Sequence, residues 1–245
     1  MKFGNITIGG MSLGSTRIGG MNLGSTPVFR AGSGPTPPAP PVFVDYIETD
    51  GVAYINTGIK GNVPLSMKLY FTPVLPSSTY SVICGCRKDQ TQDTRLYPYI
   101  VYNTKKITFC YGTSFMNATL DVASSIDNKK MLIAQARFMA GEQILYKKQD
   151  GETSYANLTN LNANAITNDI DIFLFCQNNY GSPSTIEPGT RVNEFQIYSD
   201  YSWTQLVFYG KACFYNGKYG LWDSVTNSFF GNAAPSGAFT GPSIQ

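Results

Sequence analysis

The stretch Leu65-Ser66-Met67-Lys68-Leu69-Tyr70-Phe71-Thr72 decides the fold class. Apolar residues occupy every second position, and the residues between them are polar or amphipathic. Successive side chains of an extended chain point to opposite faces, so this alternation predicts a β-strand with one face in a core and the other toward solvent. Strong helix signals are absent from the rest of the chain.

Similar short runs of apolar, aromatic and β-branched residues follow this strand, separated by Gly, Pro, Asn and Asp. They are residues 80–84, 96–102, 107–111, 131–138, 144–147, 170–176, 194–198 and 205–209. Many short strands with turn residues between them predict an all-β antiparallel sandwich, and about 200 residues is an ordinary size for one such domain. We expect two packed sheets.

Composition agrees with this fold class and excludes several classes of function. The 245 residues are 13% aromatic but only 14% charged, with a net charge of +2 and no basic patch, which does not fit a nucleic-acid partner. No stretch reaches the ~18 apolar residues of a membrane span, and the first residues lack the apolar core of a signal peptide. We expect that the chain is made in a cytoplasm and does not insert into a membrane.

The cysteines indicate free thiols. There are five, an odd number, and most lie inside apolar runs; they are Cys84, Cys86, Cys110, Cys176 and Cys213. A disulfide framework favours small secreted domains with even counts, and no C-x-x-C pair is present for zinc. We therefore expect buried free thiols.

A ten-residue repeat fills most of the first 28 residues. Residues 8–17 and 18–27 differ at only two positions, and an apolar residue followed by glycine recurs every five residues. Neither a helix nor a continuous strand fits that spacing, so we expect very short extended pieces joined by glycine turns. A solenoid generally needs about three or more repeats to bury a core. The segment therefore predicts an arm that docks on another chain.

The apolar residues that would make this docking or oligomerisation contact are Phe3, Ile8, Met11, Leu13, Ile18, Met21, Leu23 and Val28. The alternative is a disordered glycine-rich tail. A run of prolines and glycines follows and favours a stiff, extended linker. The predicted domains are a docking arm at 1–29, a linker at 30–41 and a head at 42–245.

Three segments of the head resemble a known family. They are 46–59, YIETDGVAYINTGI; 195–198, FQIY; and 217–232, GKYGLWDSVTNSFFGN. They are similar to the opening, penultimate and closing segments of laminin-G-like, concanavalin-A-type jelly-roll domains, which are common in bacteriophage and gut-bacterial proteins. The resemblance implies a two-sheet jelly roll over residues 44–241, in which the aromatic residues of these motifs alternate as core residues would.

The glycine-rich arm is similar to the starts of virion proteins of tailed phages of gut bacteria, including the crAss-like group. That resemblance implies that the arm attaches a fibre or decoration protein to the particle. The partners would then be further copies of the chain, as a dimer or trimer, and a phage capsid or tail protein. The chain would be made in the host bacterium and exposed on the virion surface.

Enzymatic chemistry has little support. Jelly-roll glucanases carry E-x-D-x-x-E on one strand, so that two carboxylates can act as nucleophile and acid/base. The nearest match here begins with the shorter Asp169 and has Leu174 in place of the third carboxylate. The chain has no histidine, which excludes a Ser-His-Asp group. We predict no catalytic residues.

Cofactor and metal sites are not predicted either. Phosphate-binding glycine loops are not found. Four aspartates on predicted loops, Asp89, Asp93, Asp200 and Asp223, carry the right ligand type for calcium but form no recognisable cluster. Asp223 more simply makes a turn bond, and the others are solvated loop charges.

Carbohydrate binding needs an exposed aromatic face beside amide or carboxylate groups. Residues 177–180 and 198–203 offer that mixture on predicted loops. The candidate contacts are Asn178, Tyr180, Tyr201 and Trp203, and the alternative is that both segments are polar loops that cap the sandwich.

The sequence thus predicts a non-enzymatic phage structural protein, a head fibre or capsid decoration subunit whose lectin-like head meets host-surface glycans. A tail fibre or adhesin, a free carbohydrate-binding module and a degenerate glycosidase stay open as alternatives.

Overall fold

The computed structural model describes residues 12–13, 16–17, 22–23, 26–27, 39–62, 64–74, 80–89, 95–101, 106–111, 114–119, 132–139, 141–149, 156–163, 168–184 and 187–244. These residues include strands but no helix, and so no helix among them could cross a membrane. The chain divides into two compact units, residues 1–39 and 40–245.

The first unit contains two hairpins at equivalent positions of the ten-residue repeat. Strand β1 (Ser12–Leu13) pairs with β2 (Thr16–Arg17), and β3 (Asn22–Leu23) pairs with β4 (Thr26–Pro27). The second hairpin has the same register as the first, ten residues on. The other residues of the predicted docking set lie outside the described residues: Phe3, Ile8, Met11, Ile18, Met21 and Val28.

The second unit holds the remaining strands. They are β5 (Val42–Phe43), β6 (Ile47–Thr49), β7 (Ile55–Lys60), β8 (Leu65–Thr72), β9 (Tyr80–Val82), β10 (Cys84–Arg87), β11 (Arg95–Val101), β12 (Lys106–Tyr111), β13 (Ser114–Thr119), β14 (Leu132–Met139), β15 (Gly141–Gln149), β16 (Ala156–Ala163), β17 (Asp171–Leu174), β18 (Asn178–Asn179), β19 (Ser182–Pro183), β20 (Arg191–Tyr198), β21 (Leu206–Tyr215), β22 (Lys218–Asp223), β23 (Ser228–Phe230) and β24 (Phe239–Thr240).

These strands form two sheets. The first sheet runs β13-β12-β11-β10-β17-β7, with β9 on β11 and the β18–β19 hairpin on β10. The second runs β16-β15-β14-β8-β20-β21-β22-β23, with β5 on β21, β6 on β20 and β24 on β6. All described pairs are antiparallel except β10 with β18. The predicted all-β, antiparallel two-sheet jelly-roll sandwich is confirmed.

The core lies between the sheets. In β8 the alternate residues Leu65, Met67, Leu69 and Phe71 are each at most 3% exposed, which confirms the predicted core face. The other face is only partly open to solvent, because Ser66 and Thr72 are also buried. Buried side chains of both sheets complete the core: Ile55, Leu96, Ile172, Leu174, Phe195, Ile197, Phe208 and Leu221. The strands of the second sheet therefore turn their other residues away from the core.

All five cysteines are buried free thiols, as predicted. Burial raises the pKa of the Cys213 thiol to about 12, so it stays protonated at neutral pH. Asp223 makes the predicted turn bonds. Its carboxylate is fully buried and accepts hydrogen bonds from the amides of Tyr209, Val225 and Thr226 and from the Thr226 hydroxyl.

Candidate functional site

A row of aromatic and charged residues crosses the second sheet on the side away from the core. Tyr70 lies opposite Glu194, Glu194 opposite Lys211, Lys211 opposite Trp222, and Trp222 opposite Phe229. Cross-strand partners share a face, so these side chains form one continuous row. With strands about 4.8 Å apart, the row spans about 19 Å from β8 to β23.

Other residues of β8, β20 and β21 extend the row into a surface. We refer to the whole set as the outer face: Lys68, Tyr70, Glu194, Gln196, Tyr198, Tyr209, Lys211, Tyr215, Trp222 and Phe229. Lys68 and Gln196 lie opposite each other, as do Gln196 and Tyr209. Of these residues, only Tyr198 lies in a segment that the sequence analysis considered for carbohydrate binding, because the set is distant in the sequence and only the register brings it together.

Hydrogen bonds and charges fix the polar side chains of the outer face. The Tyr209 hydroxyl donates to Glu194 Oε2 at 3.0 Å, and Lys211 Nζ lies 3.7 Å from Glu194 Oε1 and 5.0 Å from the Tyr209 ring centroid. The Tyr198 hydroxyl donates to Gln196 Oε1 at 2.8 Å. The hydrogen bond with Tyr209 and the charge of Glu194 raise the pKa of Lys211, so its ammonium is charged at neutral pH.

Three aromatic rings lie together at the β23 end of the outer face. The Tyr215 ring centroid is 5.3 Å from that of Trp222 and 5.4 Å from that of Phe229. The sequence analysis expected the aromatic residues of this closing motif to be core residues. Tyr219 and Phe230 do pack against the core, but Trp222 and Phe229 are half-buried on the outer face, which corrects that expectation. The reason is that successive side chains of a β-strand point to opposite faces of the sheet, so Phe229 and Phe230 lie on opposite faces.

The ring of Phe229 depends on Gly220. A Cβ at Gly220 would lie 2.6 Å from Phe229 Cζ and closer still to the backbone oxygen of Phe230. A residue with a side chain at position 220 of β22 would therefore collide with the Phe229 ring and with the backbone of β23. Glycine at this position lets the two strands pair.

Gly220→Ala should lower the free energy of unfolding by about 2–3 kcal/mol, because the added methyl must displace the Phe229 ring and part β23 from β22. Gly231→Ala is the matched control, since its Cβ would meet only side-chain atoms of Phe229, the nearest at 3.0 Å. Urea denaturation measures both. An equal loss for the two variants would contradict this explanation.

The loop between β20 and β21 brings Trp203 to the outer face. The Trp203 ring meets the Tyr198 ring edge-on, with centroids 5.2 Å apart. Its backbone has a φ of +62°, an unusual conformation for a bulky residue. The carboxylate of Asp200 holds the loop, because it accepts hydrogen bonds from the amides of Thr204 and Gln205 and from the Thr204 hydroxyl. Tyr201 is half-buried in the same loop.

The hydrogen bonds from Thr204 lower the pKa of Asp200 below its ordinary value of 3.8. A carboxyl with a lowered pKa stabilises the fold above its unfolded-state pKa and loses that effect as the pH falls through its folded-state pKa. Asp200→Ala should therefore melt at a lower temperature than the parent protein at pH 7, and this difference in melting temperature should be smaller at pH 3. Thermal melts of both proteins at the two pH values measure the difference. A larger difference at pH 3 than at pH 7 would contradict the stabilising role of the Asp200 carboxylate.

The other two predicted glycan contacts lie on the first sheet, in the β18–β19 hairpin. Asn178 is 3% exposed; its Nδ2 donates to the carbonyl of Asp171 at 2.9 Å, and its Oδ1 accepts from the amide of Gly181 at 2.8 Å. Tyr180 is 40% exposed, has a φ of +57°, and its ring centroid is 5.5 Å from the Arg87 guanidinium carbon. The structure thus assigns the two predicted pairs of contacts to different sheets.

The two candidate carboxylates of the glucanase-like strand are neutralised by lysines. Asp169 Oδ1 lies 3.1 Å from Lys88 Nζ, and Asp171 Oδ1 lies 2.7 Å from Lys60 Nζ. The hydrogen bond with Lys88 lowers the pKa of Asp169. Burial raises the pKa of Asp171, but the bonds with Lys60 and Asn56 more than offset it. Both carboxyls are ionised at neutral pH, so neither has the raised pKa of a glycosidase acid.

Within the described part of the chain, no three Cys, Asp or Glu side chains come together as a metal site. Asp93, one of the four aspartates considered for calcium, lies outside that part. Asp200 and Asp223 are occupied by the turn bonds given above. The outer face is therefore the arrangement with the clearest binding chemistry, because it combines fixed polar groups with half-buried aromatic rings.

No protein-family model and no curated protein matches the chain. Solved structures do match it. A presumed carbohydrate-binding protein from Bacteroides ovatus matches with a TM-score of 0.51 and 10% identity over 82% of this chain; this chain spans only 60% of that protein. Domains LG4-5 of the mouse laminin α1 chain match with a TM-score of 0.45 and 16% identity, over 64% of this chain and 41% of that one. The Ruminococcus gnavus IT-sialidase CBM40 matches with a TM-score of 0.45 and 12% identity, over 64% of this chain and 91% of that one. The chain therefore shares the jelly-roll fold of the Bacteroides ovatus protein.

Proposed function

We propose that this chain is a non-enzymatic glycan-binding protein and that the outer face is its binding surface. The row from Tyr70 to Phe229 carries the proposal. Sugar rings present apolar C–H faces to aromatic side chains, and their hydroxyls bond to carboxylate, amide and ammonium groups. Glu194 and Lys211, which are half-buried, supply such groups beside the rings of Tyr209 and Trp222.

Two further observations support glycan binding. Trp203, one of the contacts predicted from the sequence, has its ring against Tyr198 of the outer face. The Bacteroides ovatus protein with the same fold is described as carbohydrate-binding. The ion pairs of Asp169 with Lys88 and of Asp171 with Lys60 favour binding without hydrolysis.

We further infer that the arm mounts the head on a phage virion, as a head fibre or decoration subunit exposed on the particle surface. The two hairpins of the arm have the same register ten residues apart, so a neighbouring chain with the same period would meet the same groups twice. Copies would associate as a dimer or trimer, and repeated display would compensate for weak binding at single sites. The alternatives are a tail fibre and a free carbohydrate-binding module, and the same glycan-binding head would serve in either.

A glycan array probed with the full chain tests the proposed binding. We expect a small set of related glycans to bind, and no reducing sugar to be released from them by the parent protein or by Asp171→Asn. An array that includes bacterial surface polysaccharides and retains no protein would overturn the function. Sugar release that Asp171→Asn abolishes would establish the glycosidase instead.

A further inference from the structure

A cleft of about 430 Å³ opens beside the β23 end of the outer face. Its lining includes Lys218, Tyr219, Phe229, Asn232, Ser236 and Phe239. Phe229 belongs to both the cleft and the outer face, and Lys218 lies opposite Tyr215 of the outer face. The cleft and the outer face therefore adjoin at Phe229.

Hydrogen bonds hold the loop that forms the far wall of the cleft. Asn232 Nδ2 donates to the carbonyls of Ser236 and Gly237 at 2.8 and 3.0 Å, and its Oδ1 accepts from the amide of Ala234 at 2.9 Å. The amide of Ala238 donates to Asp50 Oδ2 at 2.7 Å. The cleft is thus formed before any ligand arrives, which lowers the entropic cost of binding.

The chemistry of the lining suits a single sugar residue. Phe229 and Tyr219 supply aromatic surface, Ser236 supplies a hydroxyl, and Lys218 supplies an exposed ammonium group. Small pockets with a mainly apolar lining and a few polar groups are typical of ligand sites.

The position of the cleft decides which sugar residue it would take. Strand β23 ends the second sheet on this side, so the row of the outer face ends at Phe229. An oligosaccharide that lies along the row from Tyr70 reaches the cleft with its last residue. This inference rests on the proposed glycan binding. We propose that the cleft binds the terminal sugar residue of the glycan, so that the protein recognises the ends of glycan chains.

Filling the cleft tests this proposal. Ala234 is half-buried in the lining, and only its backbone amide is used by Asn232, so Ala234→Trp should block the cleft without removing that bond. Against the strongest ligand of a glycan array, Ala234→Trp should bind at least tenfold more weakly. Val225→Trp is the matched control, because Val225 is 44% exposed in the β22–β23 turn and outside the lining; its affinity should stay within twofold.

Titration calorimetry measures the affinities, and a melting curve checks each variant for folding. If Ala234→Trp does not fold, Ser236→Trp, at an exposed position of the same wall, replaces it. Parent-like affinity of a folded cleft-filling variant would overturn the proposal.

The array itself separates failure of this inference from failure of the proposed function. It should carry each terminal sugar on several different cores. Ligands that share a terminal residue on unrelated cores support the cleft. Ligands that share an internal repeat whatever their terminus overturn the cleft but leave glycan binding by the outer face standing. Absence of any ligand overturns both.

Discussion

On the proposed attachment to a phage virion, a chain that lacks residues 1–41 should be absent from purified particles, while its head still folds and binds glycans. The loss should be nearly complete, because the proposed contact with the virion lies wholly in the arm. The head unit, residues 40–245, contains the core and both sheets of the jelly roll. Mass spectrometry of particles from complemented infections measures incorporation.

A full-length variant separates docking from simple loss of length. Leu13→Ser combined with Leu23→Ser keeps both repeats and the linker but removes an apolar residue from each hairpin. It should be incorporated far less than the parent, and light scattering should find a smaller oligomer. Incorporation of the truncated chain at the parent level would contradict docking through the arm, whereas absence of the parent protein itself from the particles would favour a free carbohydrate-binding module.

Trp222→Ala should weaken glycan binding by about 30-fold, equivalent to about 2 kcal/mol, the usual loss at a central aromatic contact. Trp222 lies between Lys211 and Phe229 in the row, and its ring meets that of Tyr215. Its removal takes away stacking surface in the row, whereas the core under it, formed by Leu221, is unchanged. Titration calorimetry with the best array ligand measures the effect.

Two variants control for this result. Val225→Ala, at an exposed turn position next to β22, should bind like the parent. Tyr180→Ala tests the predicted contact on the first sheet, and we expect less than a twofold change if the outer face is the site. A large loss for Tyr180→Ala with none for Trp222→Ala would move the site to the β18–β19 hairpin.

The strands that pack one face in the core were predictable from the sequence. The alternation in β8 marks its buried face without reference to any other strand, and the runs at 170–176 and 194–198 contain β17 and most of β20. Strands β13 and β16 were not among the predicted runs. The sequence of β16, ANLTNLNA, is rich in asparagine, which is depleted in strands, and β13, SFMNAT, is short and partly polar.

The outer face could not be predicted because it depends on register between distant strands. Glu194 and Trp222 are 28 residues apart in the sequence, yet each lies opposite Lys211. Trp203 was predicted as a glycan contact from its loop, but its approach to Tyr198 depends on the turn that Asp200 holds. Local patterns give the direction of a side chain, whereas tertiary pairing decides its neighbours.

Tryptophan fluorescence tests the central claim most directly, because the two tryptophans of the sequence both lie at the outer face, Trp222 in its row and Trp203 against Tyr198. Titration with the strongest array ligand should change the emission of the parent protein with the dissociation constant found by calorimetry. Trp203→Phe and Trp222→Phe should each keep the part of the change that comes from the other tryptophan. Binding that calorimetry detects while the emission of both tryptophans stays constant would contradict glycan recognition by the outer face.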